Sequence, residues 1–156
     1  MDNNILQIGT GGDLKLEHTG SHSNIYNTTG NLNFIQYADD KDIIFQCDDG
    51  SGGVETYFFL DGSLSSGNPY TVFPDNSSIV LGTGNDLQVK HNATDTTFDN
   101  YTGDLKFANY ADDKDIVFSC DDGSGGVETY FYLDGSLSSG NPFTVFPDDS
   151  ILTFGN

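Results

Sequence analysis

Asp48, Asp49 and Glu55 in the segment CDDGSGGVE, with their copies Asp121, Asp122 and Glu128, are the residues best suited to hold a hard cation. Carboxylate oxygens so close in the chain can ligate calcium. The order is not that of an EF-hand, which needs acids at alternate positions ahead of a central Gly, and no GGxGxD nonapeptide is present. A Gly-rich hairpin turn uses the same residues without a metal: Asp opens the turn and Gly takes positive φ. The turn is the primary reading and calcium the alternative; no cofactor is required. ADDKD (Ala38 to Asp42) is read as a solvated turn leading into a strand.

His18 and His91 occupy one position in two copies and face inward by strand alternation. A lone inward imidazole is ordinarily a satisfied structural group. Around a threefold axis three of them could also meet at an ion. His22 is replaced by Asp95 in the second copy, which argues against a shared catalytic role. No nucleophile–His–acid set repeats, and GxSxG, HExxH and P-loop motifs are absent. Picking two carboxylates out of 24 is no evidence for glycoside hydrolysis. The chain therefore reads as a non-enzyme. Cys47 and Cys120 are equivalent positions, expected as free, buried thiols. Tyr26, Tyr70 and Tyr101, with Asn27 and Asn68, could stack on and hydrogen-bond sugars; ordinary turn and edge roles explain them as well. The N-x-S/T triplets at Asn27, Asn76, Asn92 and Asn100 are expected by chance in so Asn/Thr-rich a chain.

Behind these residues stands a duplication. Residues 38–75 recur at 111–148, an offset of 73, with four differences in 38 positions. A stacked short unit is the mark of an array. The DNNILQI strand near the start returns as DNSSIVL at 75–81 and DDSILTF at 148–154. The division expected is 1–8, a partial repeat serving as a cap strand; 9–81, repeat 1; and 82–154, repeat 2, ending within the next repeat. The ends are either caps or cuts through a longer array.

Strands are expected at 5–8, 13–18, 31–36, 42–47, 54–60 and 70–73, and again 73 residues later. Turn segments such as GTGG, HTGSHS, NTTG and LDGSLSSGNP separate them. Nothing has a helical period. Substitution between copies marks the inner face. Leu14/Leu87, Leu16/Val89 and His18/His91 keep their character, and Ile43/Ile116, Phe45/Phe118 and Cys47/Cys120 are identical. Lys15/Gln88, Glu17/Lys90, Ile44/Val117 and Gln46/Ser119 vary on the other face. In VETYFFL the change Phe59/Tyr132 puts Val54, Thr56, Phe58 and Leu60 inside, with Phe131 the copy of Phe58. So thin a layer is marginal for a lone chain: burying one Leu or Phe gains about 1.5–3 kcal/mol, while ordering each residue costs about 1–2 kcal/mol. A homo-oligomer is expected, a trimer around a fibre axis being favoured.

A formal charge of -19 excludes bulk electrostatic binding to nucleic acid or anionic lipid and suits a solvated marine or extracellular surface. No apolar run approaches a membrane span. The N-terminus has neither the basic nor the apolar region of a secretory signal.

DLKLEHTGSHSNIYNTTGNLNF, its partner DLQVKHNATDTTFDNYTGDLKF, ADDKDI, DDGSGG and LDGS together resemble a repeat of structural proteins from marine tailed phages, cyanophages among them. That repeat runs DLxIYHDGSNSYI, a TGDL strand, ADDKDIxFQSDDGSGG and a YFxLDGS strand. Here Glu17 or Lys90 replaces its aromatic, and Cys47 and Cys120 replace a Ser, which favours a passive role for the thiols. The resemblance implies a virion structural protein: a tail-fibre or appendage segment with shaft and host-adhesion roles. Such a protein would be made in the bacterial host cytoplasm and would act on the extracellular particle. It brings no catalytic residue. The expected fold is all-β, a tandem-repeat elongated module, β-solenoid or triple-stranded β-helix-like. Its partners would be itself and a host cell-surface glycan. The alternatives are a carbohydrate-binding β module, with or without calcium, and then a polysaccharide-degrading enzyme.

Overall fold

The computed structural model of the chain describes residues 4–64, 67–137 and 140–155. The serine pairs in the two LSSG turns and residues 1–3 of the expected cap lie outside them. The described residues are all-β, with twelve strands and no helix. The strands form four three-stranded antiparallel meanders. Sheet 1 joins β1 (Asn4–Ile8), β2 (Leu14–His18) and β3 (Ser23–Asn27). Sheet 2 joins β4 (Ile43–Asp48), β5 (Val54–Asp61) and β6 (Tyr70–Val72). Sheet 3 joins β7 (Ser78–Leu81), β8 (Leu87–His91) and β9 (Thr96–Asn100). Sheet 4 joins β10 (Ile116–Asp121), β11 (Val127–Asp134) and β12 (Phe143–Val145). Sheets 3 and 4 repeat sheets 1 and 2. The chain divides into two compact units, Met1–Tyr101 with the first three sheets and Thr102–Asn156 with the fourth.

Turn chemistry sets the hairpins. Between β1 and β2 the Gly12 amide donates to the Gly9 carbonyl at 3.2 Å, with Gly12 at φ 68°. The second copy has Asn85 there at φ 58°, and Asn is the residue that best tolerates this left-handed region after Gly. The LDGS motif is a carboxylate-locked turn. Asp61 Oδ1 accepts from the Ser63 and Leu64 amides, both at 2.7 Å, and Asp134 does the same for Ser136 and Leu137.

Two strand expectations fail together. β3 and β9 lie where turns were expected, because the β2–β3 turn is tighter than HTGSHS suggests: the Thr19 amide already reaches the His22 carbonyl at 2.9 Å. Conversely, 31–36 and 104–109 form no strand. NLNFIQ alternates like a strand, yet no described strand pairs with it, and Phe34 stays 61% exposed. The β1-type segment at 151–155 is likewise not a strand.

A third difference is a bulge. Phe45 pairs with Phe58 but Gln46 pairs with Thr56, so Tyr57 is an extra residue in β5. The same slip occurs between Phe118 and Ser119. An inserted residue shifts alternation by one. Val54 and Thr56 therefore share a face with Gln46, not with Phe58, which corrects the simple alternation read from VETYFFL.

No described residue is buried. The accessible surface is 12821 Å², against about 7,700 Å² for a compact monomer of 16.9 kDa. The sheets are formed, but the described residues make no buried core.

Candidate functional site: a repeated aromatic face

The acidic candidates do not converge. Asp48 pairs with Val54, while Glu55 pairs with Cys47, so Asp48 and Glu55 point to opposite faces of sheet 2. Asp48 Oδ1 accepts the Gly50 amide at 2.7 Å. Asp49 accepts the Ser51 amide at 2.8 Å and the Ser51 hydroxyl at 2.7 Å. The hydroxyl contact, then the amide contact, holds the Asp49 pKa below the usual aspartate value, as the Ser124 contacts do for Asp122. These carboxylates build turns. Among the described residues no three His, Cys, Asp or Glu side chains gather into a metal-sized cluster. The residues Glu55 and Glu128 share the face of Cys47 and Cys120 respectively.

Each inward histidine has a cross-strand partner. His18 Nδ1 lies 3.1 Å from Ser23 Oγ, and His91 Nδ1 lies 3.1 Å from Thr96 Oγ1. The hydroxyl contact at Nδ1 is kept in both copies. The three tyrosines lie on β3, on β6 and just after β9. Tyr26 has the Lys15 ammonium 4.5 Å from its ring centre. The copies of Tyr26, Tyr70 and Tyr101 are Asp99, Phe143 and Thr28, so none repeats as tyrosine.

The two sides of sheet 2 differ in kind. One side carries Ile43, Phe45, Cys47, Phe58, Leu60 and Phe73; the Phe45 and Phe58 rings stack at 4.5 Å and Phe73 continues the row at 5.8 Å. Sheet 4 repeats it with Ile116, Phe118, Cys120, Phe131, Leu133 and Phe146, at 4.5 and 5.9 Å. Both thiols are free, as expected, but exposed rather than buried. Phe45 is 44% exposed and Phe73 42%. The other side carries Ile44, Gln46, Thr56, Phe59, Tyr70 and Val72.

All four substitutions between the copies, Ile44/Val117, Gln46/Ser119, Phe59/Tyr132 and Tyr70/Phe143, fall on that second side. The aromatic side is identical in both copies. In sheets 1 and 3 one side keeps its apolar character but not its residues: Leu6, Ile8, Leu16 and Ile25 become Ile79, Leu81, Val89 and Phe98. Leu14, Leu16 and His18 align with Leu6, Ile8 and Ile25, and in the second copy Leu87, Val89 and His91 align with Ile79, Leu81 and Phe98. The opposite side exchanges Lys15 for Gln88, Glu17 for Lys90 and Tyr26 for Asp99. Sequence reasoning missed Phe73 and Phe146 as members of the aromatic row; their signal was identity between copies next to a varying Tyr70/Phe143.

No protein-family model, curated protein or solved structure matches the chain.

Proposed function

We propose that the chain is a structural segment of a phage virion appendage, a tail fibre or similar, which joins identical chains into a rigid shaft and contacts the host surface without catalysis. The carrying observation is the missing core. Twelve strands are formed, yet no described residue is buried. Surface in excess of a compact monomer amounts to about 5,000 Å² per chain, the scale of an obligate interface rather than of a ligand pocket. Tandem repetition and the resemblance to phage repeats supply the appendage, and the virion its location. A homotrimer is the preferred symmetry, and loop tips would offer the host a glycan-contacting surface.

Light scattering and sedimentation of the purified chain at micromolar concentration test this. The expected result is a stable oligomer with a mass near three chains. A monomer that unfolds cooperatively would overturn it.

An open groove of about 660 Å³ favours a second reading, a carbohydrate-binding module. Tyr57, Phe58 and Phe73 line it together with Asp49, Glu55 and Asp75. Aromatic rings beside carboxylates suit a sugar, with or without calcium. Glycan-array binding by a monomeric chain, or a large melting shift with calcium, would favour this reading over the shaft.

A further inference from the structure

We infer that the aromatic side of sheets 2 and 4 is the surface through which identical chains meet, and that the opposite side of these sheets faces solvent. This rests on the homo-oligomeric reading and adds to it which side of the sheet is covered, and by what.

Three observations point the same way. The first is the placement of the substitutions. Four changes in 38 positions all fall on one side by the observed strand register. A side facing water accepts Phe59 as Tyr132 and Gln46 as Ser119. A side packed against a fixed surface does not accept changes of volume, since each methylene is felt there. The second is the state of the aromatic side in one chain. Phe45, Leu60 and Phe73 remain more than two-fifths exposed although their rings and side chains are already aligned in a row. Among its paired strand residues Glu55 is the one carboxylate, and Asp49 and Asp75 line the groove beside Phe58 and Phe73; the row itself is apolar, so an apolar occupant fits it better than a charged one. The third is the period. The surface recurs unaltered after 73 residues of sequence, so whatever fits the aromatic side of one sheet fits that of the other, and the occupant must supply the same complementary pattern for each. A second copy of this chain does so by construction. The whole chain's surplus over a compact monomer, about 5,000 Å², leaves room for the roughly 800 Å² per partner of a standard stable interface.

Cys47 and Cys120 lie on this side and are natural reporters. Under reducing pre-treatment, the full-length oligomer is reacted with an aromatic disulfide thiol reagent, and the rate is compared with that of the chain in denaturant. Both native thiols are expected to react about tenfold or more slowly in the oligomer, since reaction needs access to the sulfur. The companion variant combines Cys47→Ser, Cys120→Ser and Ser119→Cys, moving the only thiol to the other side of sheet 4. Its thiol is expected to react within about threefold of the denatured rate. An oligomer whose native thiols react as fast as the denatured chain overturns the assignment, and so does one that shields the Ser119→Cys thiol equally. Either result leaves the oligomeric reading standing. A chain that stays monomeric overturns both.

Discussion

Phe45 and Phe58 stack across neighbouring strands with ring centres 4.5 Å apart, and the strand pairing slips by one residue immediately beyond them. Stack and slip are linked. Without the extra residue Tyr57, either Phe58 or Thr56 would stand on the wrong side of the sheet. The bulge lets Phe58 join the aromatic row while Thr56 bonds Gln46 on the other side, Gln46 Nε2 donating to Thr56 Oγ1 at 3.1 Å.

Tyr57 pins that bulge. Its hydroxyl donates to the Asp48 carbonyl at 3.2 Å, and Tyr130 does the same to Asp121. Tyr57→Phe removes the hydrogen bond and keeps the ring. A loss of about 0.5–1 kcal/mol is expected, at the low end because the bond is reached by water. Urea unfolding measures it. An unchanged midpoint for the double variant Tyr57→Phe/Tyr130→Phe would show that the register holds without this contact.

Gly62 is fixed by space rather than by φ. A Cβ there would run into the Lys41 carbonyl oxygen, and at Gly135 into that of Lys114. The close approach lets the Gly62 amide donate to Asp42 Oδ1 at 3.0 Å, tying the end of β5 to the start of β4. Gly62→Ala should cost about 1–3 kcal/mol, as overpacking does elsewhere. Gly53→Ala is the control: nothing lies within reach of its Cβ and its φ is not positive, so a change of a few tenths of a kcal/mol is expected. Thermal melts of the two variants side by side decide the point.

The strands LKLEH and DIIFQC were legible because their apolar residues alternate and turn residues bracket them. β3 was not, since SNIYN is mostly polar and joins a turn-like HTGSHS. NLNFIQ misled in the other direction: alternation states that a segment is ready to pair, not that a partner lies in the same chain. The bulge left no trace in composition, because one inserted Tyr in VETYFFL looks like any other strand residue. Comparison of the copies did identify Ile44, Gln46 and Phe59 as the variable side. Only the observed register added Tyr70 to them, moved Val54 and Thr56 across, and brought Phe73 into the row.

Acid should act through the turn carboxylates. The Ser63 amide, followed by the Leu64 amide and the Ser63 hydroxyl, holds the Asp61 pKa below the ordinary value of 3.8. Asp134 is held low in the same way by Ser136 and Leu137, and Asp49 and Asp122 by their serines. A pKa depressed on folding adds stability that is complete above the unfolded value and is lost as pH falls through the folded one. Charge repulsion runs the other way, easing as pH drops from 7 toward the isoelectric point near 4.1. The melting temperature should therefore rise from about pH 8 to about pH 5 and fall below about pH 3.5. In Asp61→Asn/Asp134→Asn the side-chain oxygen still accepts the turn amides. The variant should keep its pH 7 melting point and show a shallower acid limb. An acid limb as steep as the parent's would remove these two aspartates from the explanation.

Salt should strengthen the assembly. Each chain carries -19, with five Lys and Arg in all, so interchain ion pairs can offset only a small part of the repulsion on association. Raising sodium chloride from about 10 mM to about 150 mM shortens the screening length from about 30 Å to about 8 Å. The repulsion between chains falls and the apolar contact is untouched, so the dissociation constant should drop by about tenfold or more. Sedimentation across a salt series reads this directly. Calcium chloride at matched ionic strength separates the two readings of the Asp48, Asp49 and Glu55 loop. If these acids only build a turn, calcium acts as generic screening, adding no more than its higher valence gives, and magnesium reproduces the effect. If they hold a calcium ion, calcium shifts assembly or melting at micromolar to low millimolar concentration where magnesium does not. Weakening by salt would mean that ion pairs hold the chains together, which so few cations make untenable for the aromatic face as the main contact.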